Sequence, residues 1–96
     1  MAYRLTRDAE EDIIHALEDG IRLFGLRQAD AYYTQLMGAF DFLSENPRAA
    51  RERDVIQPPV RVHPFGSHVI VYRIDDEDVL ILAVRHSRED WTRFRP

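Results

Sequence analysis

The sequence predicts an α+β fold in the order strand, helix, helix, strand, strand, strand, with a helical hairpin packed on one face of a small antiparallel sheet. Three observations lead there. Two stretches in the first half carry apolar residues at spacings of three and four. After Pro58-Pro59 the apolar period changes to two. Asn46-Pro47 separates the two regimes, because proline disfavours helical geometry in the residue before it.

Tyr3-Arg4-Leu5 reads as a short opening strand, followed by Thr6 or Asp8 as a helix cap. Asp8, Glu10, Glu11 and Asp12 fall in the first turns, near the positive end of the helix dipole. Ile13, Ile14, Leu17, Ile21 and Phe24 form one apolar stripe, and Gly25 stands where a left-handed C-terminal residue is wanted, so the first helix runs from Arg7 to Phe24. The second resumes within a few residues, with Ala29, Tyr32, Tyr33, Leu36, Phe40 and Leu43 as its stripe, and stops at Asn46-Pro47. So short a link requires an antiparallel helical hairpin. Arg48 to Gln57 is polar and mixed in charge, hence a loop. Strands follow over Val60 to Phe65, His68 to Ile74 and Val79 to Arg85, joined at Gly66-Ser67 and at the acidic turn Asp75-Asp76-Glu77-Asp78. Pro64 cannot donate to a ladder, which places it at an edge or a bulge.

The 96 residues make one domain, 1–96, with the composition of an ordinary globular chain at 45% hydrophobic and 31% charged. The absence of cysteine excludes disulfides, thiolate metal sites and cysteine nucleophiles. No apolar run approaches the ~18 residues of a membrane span. Met1-Ala2-Tyr3-Arg4 opens on strand-like sequence instead of a signal peptide, so the expected location is the cytoplasm. A net charge of -4 argues against holding bare nucleic acid by phosphate neutralisation. The charge is divided: residues 1–47 carry four arginines against nine acids, and residues 48–96 nine arginines against eight. Every basic residue is arginine, a pattern that coding bias explains and that bidentate anion binding would also use.

Two places carry candidate function. The last two strands are apolar on both sides of the pleat, and two helices cover only one side. With His68, Ile70, Tyr72 and Ile74 toward the helices, Val69, Val71 and Arg73 point away, joined on the last strand by Ile81 and Ala83. This outer face is expected to receive a partner; the alternative is that the chain's own tail, through Trp91 and Phe94, folds back over it. The second place is Arg85-His86-Ser87-Arg88-Glu89-Asp90-Trp91, where the last strand leaves the sheet. With Arg61, His63 and Arg73 it would line a basic, partly aromatic groove for a binding target. An enzyme reading makes His86 a general acid or base and the arginines phosphate clamps; a structural one has Arg88 paired with Asp90 or an acid of the first helix and Trp91 packed as an anchor. No histidine and carboxylate spacing matches a metal motif, no serine triad is present, and no cofactor is expected.

Four segments carry a family resemblance: YRLT at Tyr3 to Thr6 with Ala9 and Asp12 after it, ENP at Glu45 to Pro47, GSHVIVYRI at Gly66 to Ile74, and ILAVRHSREDW at Ile81 to Trp91. In their order and spacing the chain resembles the ParE toxins of bacterial type II toxin-antitoxin modules, within the RelE/ParE superfamily. The resemblance implies a RelE/ParE-like fold and a non-enzymatic inhibitor of DNA gyrase, with target contacts at Arg85, His86, Arg88, Trp91 and Arg61. It also implies a hetero-oligomer with a ParD-type antitoxin, whose ribbon-helix-helix half would contact operator DNA and whose C-terminal segment would cover Val69, Val71, Arg73, Ile81 and Ala83. The superfamily contains ribosome-dependent messenger RNA endonucleases as well, which place cations and a tyrosine or histidine on the central strands; here Val69 and Val71 stand at such positions. That branch and a non-toxic, antitoxin-binding corepressor are the alternative functions.

Overall fold

The computed structural model of the chain describes residues 1–94. Its elements are β1 (Tyr3–Leu5), α1 (Arg7–Phe24), α2 (Leu26–Glu45), β2 (Glu52–Arg53), β3 (Val60–Phe65), β4 (His68–Asp75) and β5 (Asp78–His86). The sheet order is β1-β5-β4-β3-β2. The helix limits agree with the expected ones for local reasons. The Thr6 side chain accepts the Ala9 N–H at 3.1 Å and closes the start of α1. Gly25 has φ 91°, which permits a one-residue break into α2, although its ψ of 165° is extended and not left-handed helical. Gly20 and Ala29 let the two helices approach closely.

The meander β3-β4-β5 is antiparallel, with a positive φ at the first residue of each turn, Gly66 at 56° and Asp76 at 60°. Two features depart from expectation. The sheet is mixed, because β1 pairs with β5 in parallel, a pairing that the long helical crossover allows. The supposed loop 48–57 contains the two-residue edge strand β2, too short and too charged to show a period. β2 pairs with Val60 and Arg61 alone, so at Pro64 the β2 side of β3 is open while the other side lies in register with Val69 of β4, a place where a proline's missing N–H costs nothing.

Between α1, α2 and the sheet lies a core of Ala9, Ile13, Leu36, Phe40, Leu43, Ile70, Tyr72, Val79, Ile81 and Val84. Tyr72 reaches past the end of α2: its hydroxyl donates to Pro47 O at 2.9 Å and accepts from Ala50 N at 3.3 Å. That pair of bonds ties the segment after the helix to β4. Much of the α1 stripe is surplus to the core, since Ile14, Ile21 and Phe24 remain exposed.

The outer face corrects the expectation of an open surface. Val60, Val62, Val71, Leu80, Leu82 and Ala83 form a second cluster, and Ile56, Val69, Trp91 and Phe94 pack on it. The tail therefore folds back and seals this side. Covering it releases water from apolar surface at roughly 25 cal/mol per Å², a gain the chain obtains without a partner.

Candidate functional site

A β-bulge sets which side chains reach which face. The β4/β5 register runs Val71↔Ala83 and then Tyr72↔Ile81, so Leu82 is an extra residue on β5. An unbroken strand would put Ile81 and Ala83 on the same side. The inserted residue reverses the alternation, leaving Ile81 in the helix-side core and both Leu82 and Ala83 in the outer cluster. Of the five residues assigned to an antitoxin surface, Val71, Ala83 and Ile81 are fully buried, Ile81 on the opposite side from that expected. Val69 packs beneath the tail cluster and Arg73 lies half-buried beside Leu80. They form no open groove.

The expected basic groove is likewise not assembled. Arg85 is a clasp: beyond the end of β1 the edge of β5 is unpaired, and Asp12 of α1 takes over there, its Oδ2 accepting from Val84 N at 2.9 Å and from Arg85 Nε at 2.7 Å. Asp8 Oδ2 lies 3.5 Å from Arg85 Nη2, and Arg85 Nη1 donates to Arg93 O at 2.6 Å. One guanidinium thus joins the start of α1, the end of β5 and the tail. Arg61 donates to Ala50 O at 2.6 Å and approaches Glu52 at 3.7 Å, holding the β2 loop. Trp91 sits on the outer cluster with the Arg53 guanidinium 5.8 Å from its ring centroid. His63 stacks on Phe42 of α2, and Arg73 faces the other side of the sheet. Arg61 and His86 pair with Tyr72 and His68, four positions apart on β4, or about 13 Å.

His86 and Arg88 remain at an open tip. The His86 backbone N–H donates to Glu89 at 2.7 Å, while its Nδ1 accepts from Arg88 N at 3.2 Å, and the Arg88 side chain is exposed. The His86 ring meets His68 edge to face at 5.6 Å, and His68 Nδ1 lies 2.8 Å from the Tyr32 hydroxyl. Burial pushes the Tyr32 hydroxyl up to about 12, so it keeps its proton at neutral pH. Burial, and then the neighbouring His86, lower the His68 pKa, with Glu89 acting in the opposite direction. With its proton on Nε2, neutral His68 accepts from Tyr32. His68, His86 and Glu89 border a cleft of roughly 450 Å³ between α1 and the end of the sheet, with Asp12, His15 and Asp19 on the α1 side. Among the described residues no group of histidines and carboxylates is arranged to hold a metal ion.

Two residues of this site escaped the sequence reading. In the sequence Tyr32 is one member of the apolar α2 stripe and Asp12 one of the acids that open α1. Asp12 did belong to the opening motif, and its bond to Val84 N gives that position a physical reason.

Comparison with solved structures defines the class. A chain of the structure "Chromosomal ParDE TA system from P. aeruginosa" superposes with a TM-score of 0.77 at 21% identity, covering 90% of this chain and 95% of that one. A chain of the toxin-antitoxin complex RelBE2 from Mycobacterium tuberculosis gives 0.58 at 26% identity, covering 88% and 95%. The fold is thus the one shared by RelE- and ParE-type toxins. Toxin ParE1 of M. tuberculosis H37Rv is 37% identical over 71 residues, 73% of this chain and 72% of that protein. Toxin ParE3 of Caulobacter vibrioides is 29% identical over 83 residues, 86% and 83% of the two chains. A family model described as the ParE toxin of the type II toxin-antitoxin system parDE matches residues 3–91, and the chain belongs to that family. Among the described residues no helix is long and apolar enough to cross a membrane.

Proposed function

We propose that this ParE-type toxin inhibits DNA gyrase by protein–protein contact and is neutralised by a ParD-type antitoxin in a hetero-oligomer. The observation that carries the reading is the family match over residues 3–91. The geometry supports binding over cleavage, because Arg61, His63 and His86 do not converge on one scissile phosphate and the Arg85 guanidinium is committed to Asp12. His86 and Arg88, at the exposed exit of β5, are the residues assigned to the target. Operator DNA is touched mainly through the antitoxin, in keeping with the net charge of -4.

The test is a supercoiling and DNA-cleavage assay with purified gyrase. The protein should inhibit supercoiling, Arg88→Ala should weaken the effect without loss of fold, and the antitoxin encoded beside it should relieve it. Unchanged supercoiling, with cleavage of messenger RNA in a translating extract that His86→Ala abolishes, would replace this reading with a ribonuclease. The hydrogen-bonded Tyr32–His68 pair beside His86 is the observation favouring that second reading. Overexpression without growth arrest would instead favour a corepressor.

A further inference from the structure

The turn that takes the chain off β5 is closed by backbone N–H groups, some of which end on titratable side chains. Ser87 N donates to Ser67 O at 2.9 Å and Glu89 N to His86 O at 3.1 Å, bonds that no change of pH touches. The His86 N–H donates to Glu89 Oε1 at 2.7 Å, and the Arg88 N–H to His86 Nδ1 at 3.2 Å. His86 and Glu89 thus close the turn reciprocally, in the pattern of a capping box. There the first side chain accepts from a backbone N–H further on, and the fourth reaches back to the N–H of the first. Serine or threonine ordinarily takes the first place. Here an imidazole does, and the chemistry changes with it.

A hydroxyl oxygen accepts a hydrogen bond throughout the range from about pH 5 to 8, whereas an imidazole nitrogen accepts only while it carries no proton. Accepting at Nδ1 leaves the proton of neutral His86 on Nε2. A further proton must go to Nδ1, where it meets the Arg88 N–H donor against donor. The neighbouring histidine shows the contrast: His68 Nδ1 faces the Tyr32 hydroxyl, which can turn from donor to acceptor, and a backbone N–H cannot. Around the His86 ring, His68 on β4 is held toward its neutral form by burial first, so it opposes a charge there only weakly. On α1, Asp12 is engaged by Arg85, while His15 and Asp19 line the same cleft. On the turn itself Arg88 points into water, and Glu89 supplies the carboxylate that favours a charged ring.

We infer that the turn from His86 to Glu89 is a proton-operated catch: neutral His86 fixes the backbone at Arg88, and a proton added at Nδ1 breaks that bond, draws the ring toward Glu89 and frees the tip that carries Arg88. The turn is closed above the range in which histidine titrates and open below it. Ser87 stays tied to Ser67 in both states, which confines the change to the residues beyond it. His86 is a positioning residue for Arg88, and the catch operates whatever surface Arg88 meets.

Nuclear magnetic resonance of the 15N-labelled full chain tests it. At about pH 8 the His86 ring should carry its proton on Nε2 with Nδ1 bare, and on acidification to about pH 5 the Arg88 amide should shift in step with the ring while backbone order at Arg88 and Glu89 is lost. His86→Asn, whose side-chain oxygen accepts at either pH, should keep the tip ordered throughout, and His86→Ala should leave it loose throughout. Unchanged amide signals of Ile70 and Ile81 establish that each variant is folded. A proton on Nδ1 at the higher pH, a ring that titrates without the Arg88 amide following, or a wild-type pH response persisting in His86→Asn would each overturn the inference, whatever the gyrase assay shows.

Discussion

Replacing Arg85 by alanine would cut the contact that joins three parts of the chain. Its side chain is 17% exposed and that of Asp12 14%, so the pair lies largely out of water and removal of one partner leaves a poorly solvated carboxylate behind. Breaking such a pair costs about 3 to 5 kcal/mol. The lower end applies here because both groups keep some hydration and Asp12 retains its bond from Val84 N. A loss of about 3 kcal/mol corresponds to a Tm lower by ~15 °C for a domain of this size. Urea unfolding followed through Trp91 fluorescence measures it, and a double-mutant cycle with Asp12→Ala should return a coupling energy of about 2 kcal/mol. Arg85→Lys should recover only part of the stability, since an ammonium cannot reach Asp12 and the Arg93 carbonyl with the same fork. A variant within about 0.5 kcal/mol of the wild type, or a coupling energy near zero, would refute the account of Arg85 as a clasp.

Three other perturbations follow from the same structure. Tyr72→Phe removes the hydroxyl that serves Pro47 O and Ala50 N, and denaturation should show a loss of about 1 to 2 kcal/mol, with faster amide exchange at Ala50. Thr6→Ala loses both the α1 cap and the bond to Leu82 O, a loss of about 1 to 2 kcal/mol on the same denaturation scale. The folded-state pKa of His68 is depressed below 6.5, by burial first and His86 second, so its stabilising contribution is complete above that pH and is lost as pH falls through the folded value. His63, lowered by burial, acts in the same direction. Urea midpoints at pH 7.5 and 5 should differ less in His68→Gln than in the wild type, and an unchanged difference would show that His68 is not responsible.

The legible parts of this fold were those fixed by neighbouring residues. Thr6, Gly25 and Asn46-Pro47 marked the helices because caps and breaks act within a turn, and Gly66 and the acid-rich turn at Asp76 marked the hairpins for a similar reason. The bulge at Leu82 could not be read: in Leu80-Ile81-Leu82-Ala83-Val84 every position is apolar, so no alternation betrays an extra residue. That single insertion turns Ile81 to the helix side, where plain alternation from Ala83 predicts the outer face. The closure of the outer sheet depended on a long-range competition between the tail and an outside partner, and Trp91 and Phe94 are compatible with either outcome until their contacts are known. The β5 exit stands out in the sequence by its arginines and histidine, but the division of labour within it does not. Whether Arg85 serves the fold or a target turns on Asp8 and Asp12, more than seventy residues away in the chain.

The most direct test of that division between a sealed and an open surface is solvent paramagnetic relaxation of methyl groups in the isolated protein. With a soluble gadolinium probe, the methyls of Val62, Val71 and Leu82 should be as protected as those of Ile70, while Leu23 and Leu26 relax strongly. Strong relaxation at Val71 and Leu82, equal to that at Leu23, would mean that the tail leaves the outer sheet face open and would return that face to the list of partner surfaces.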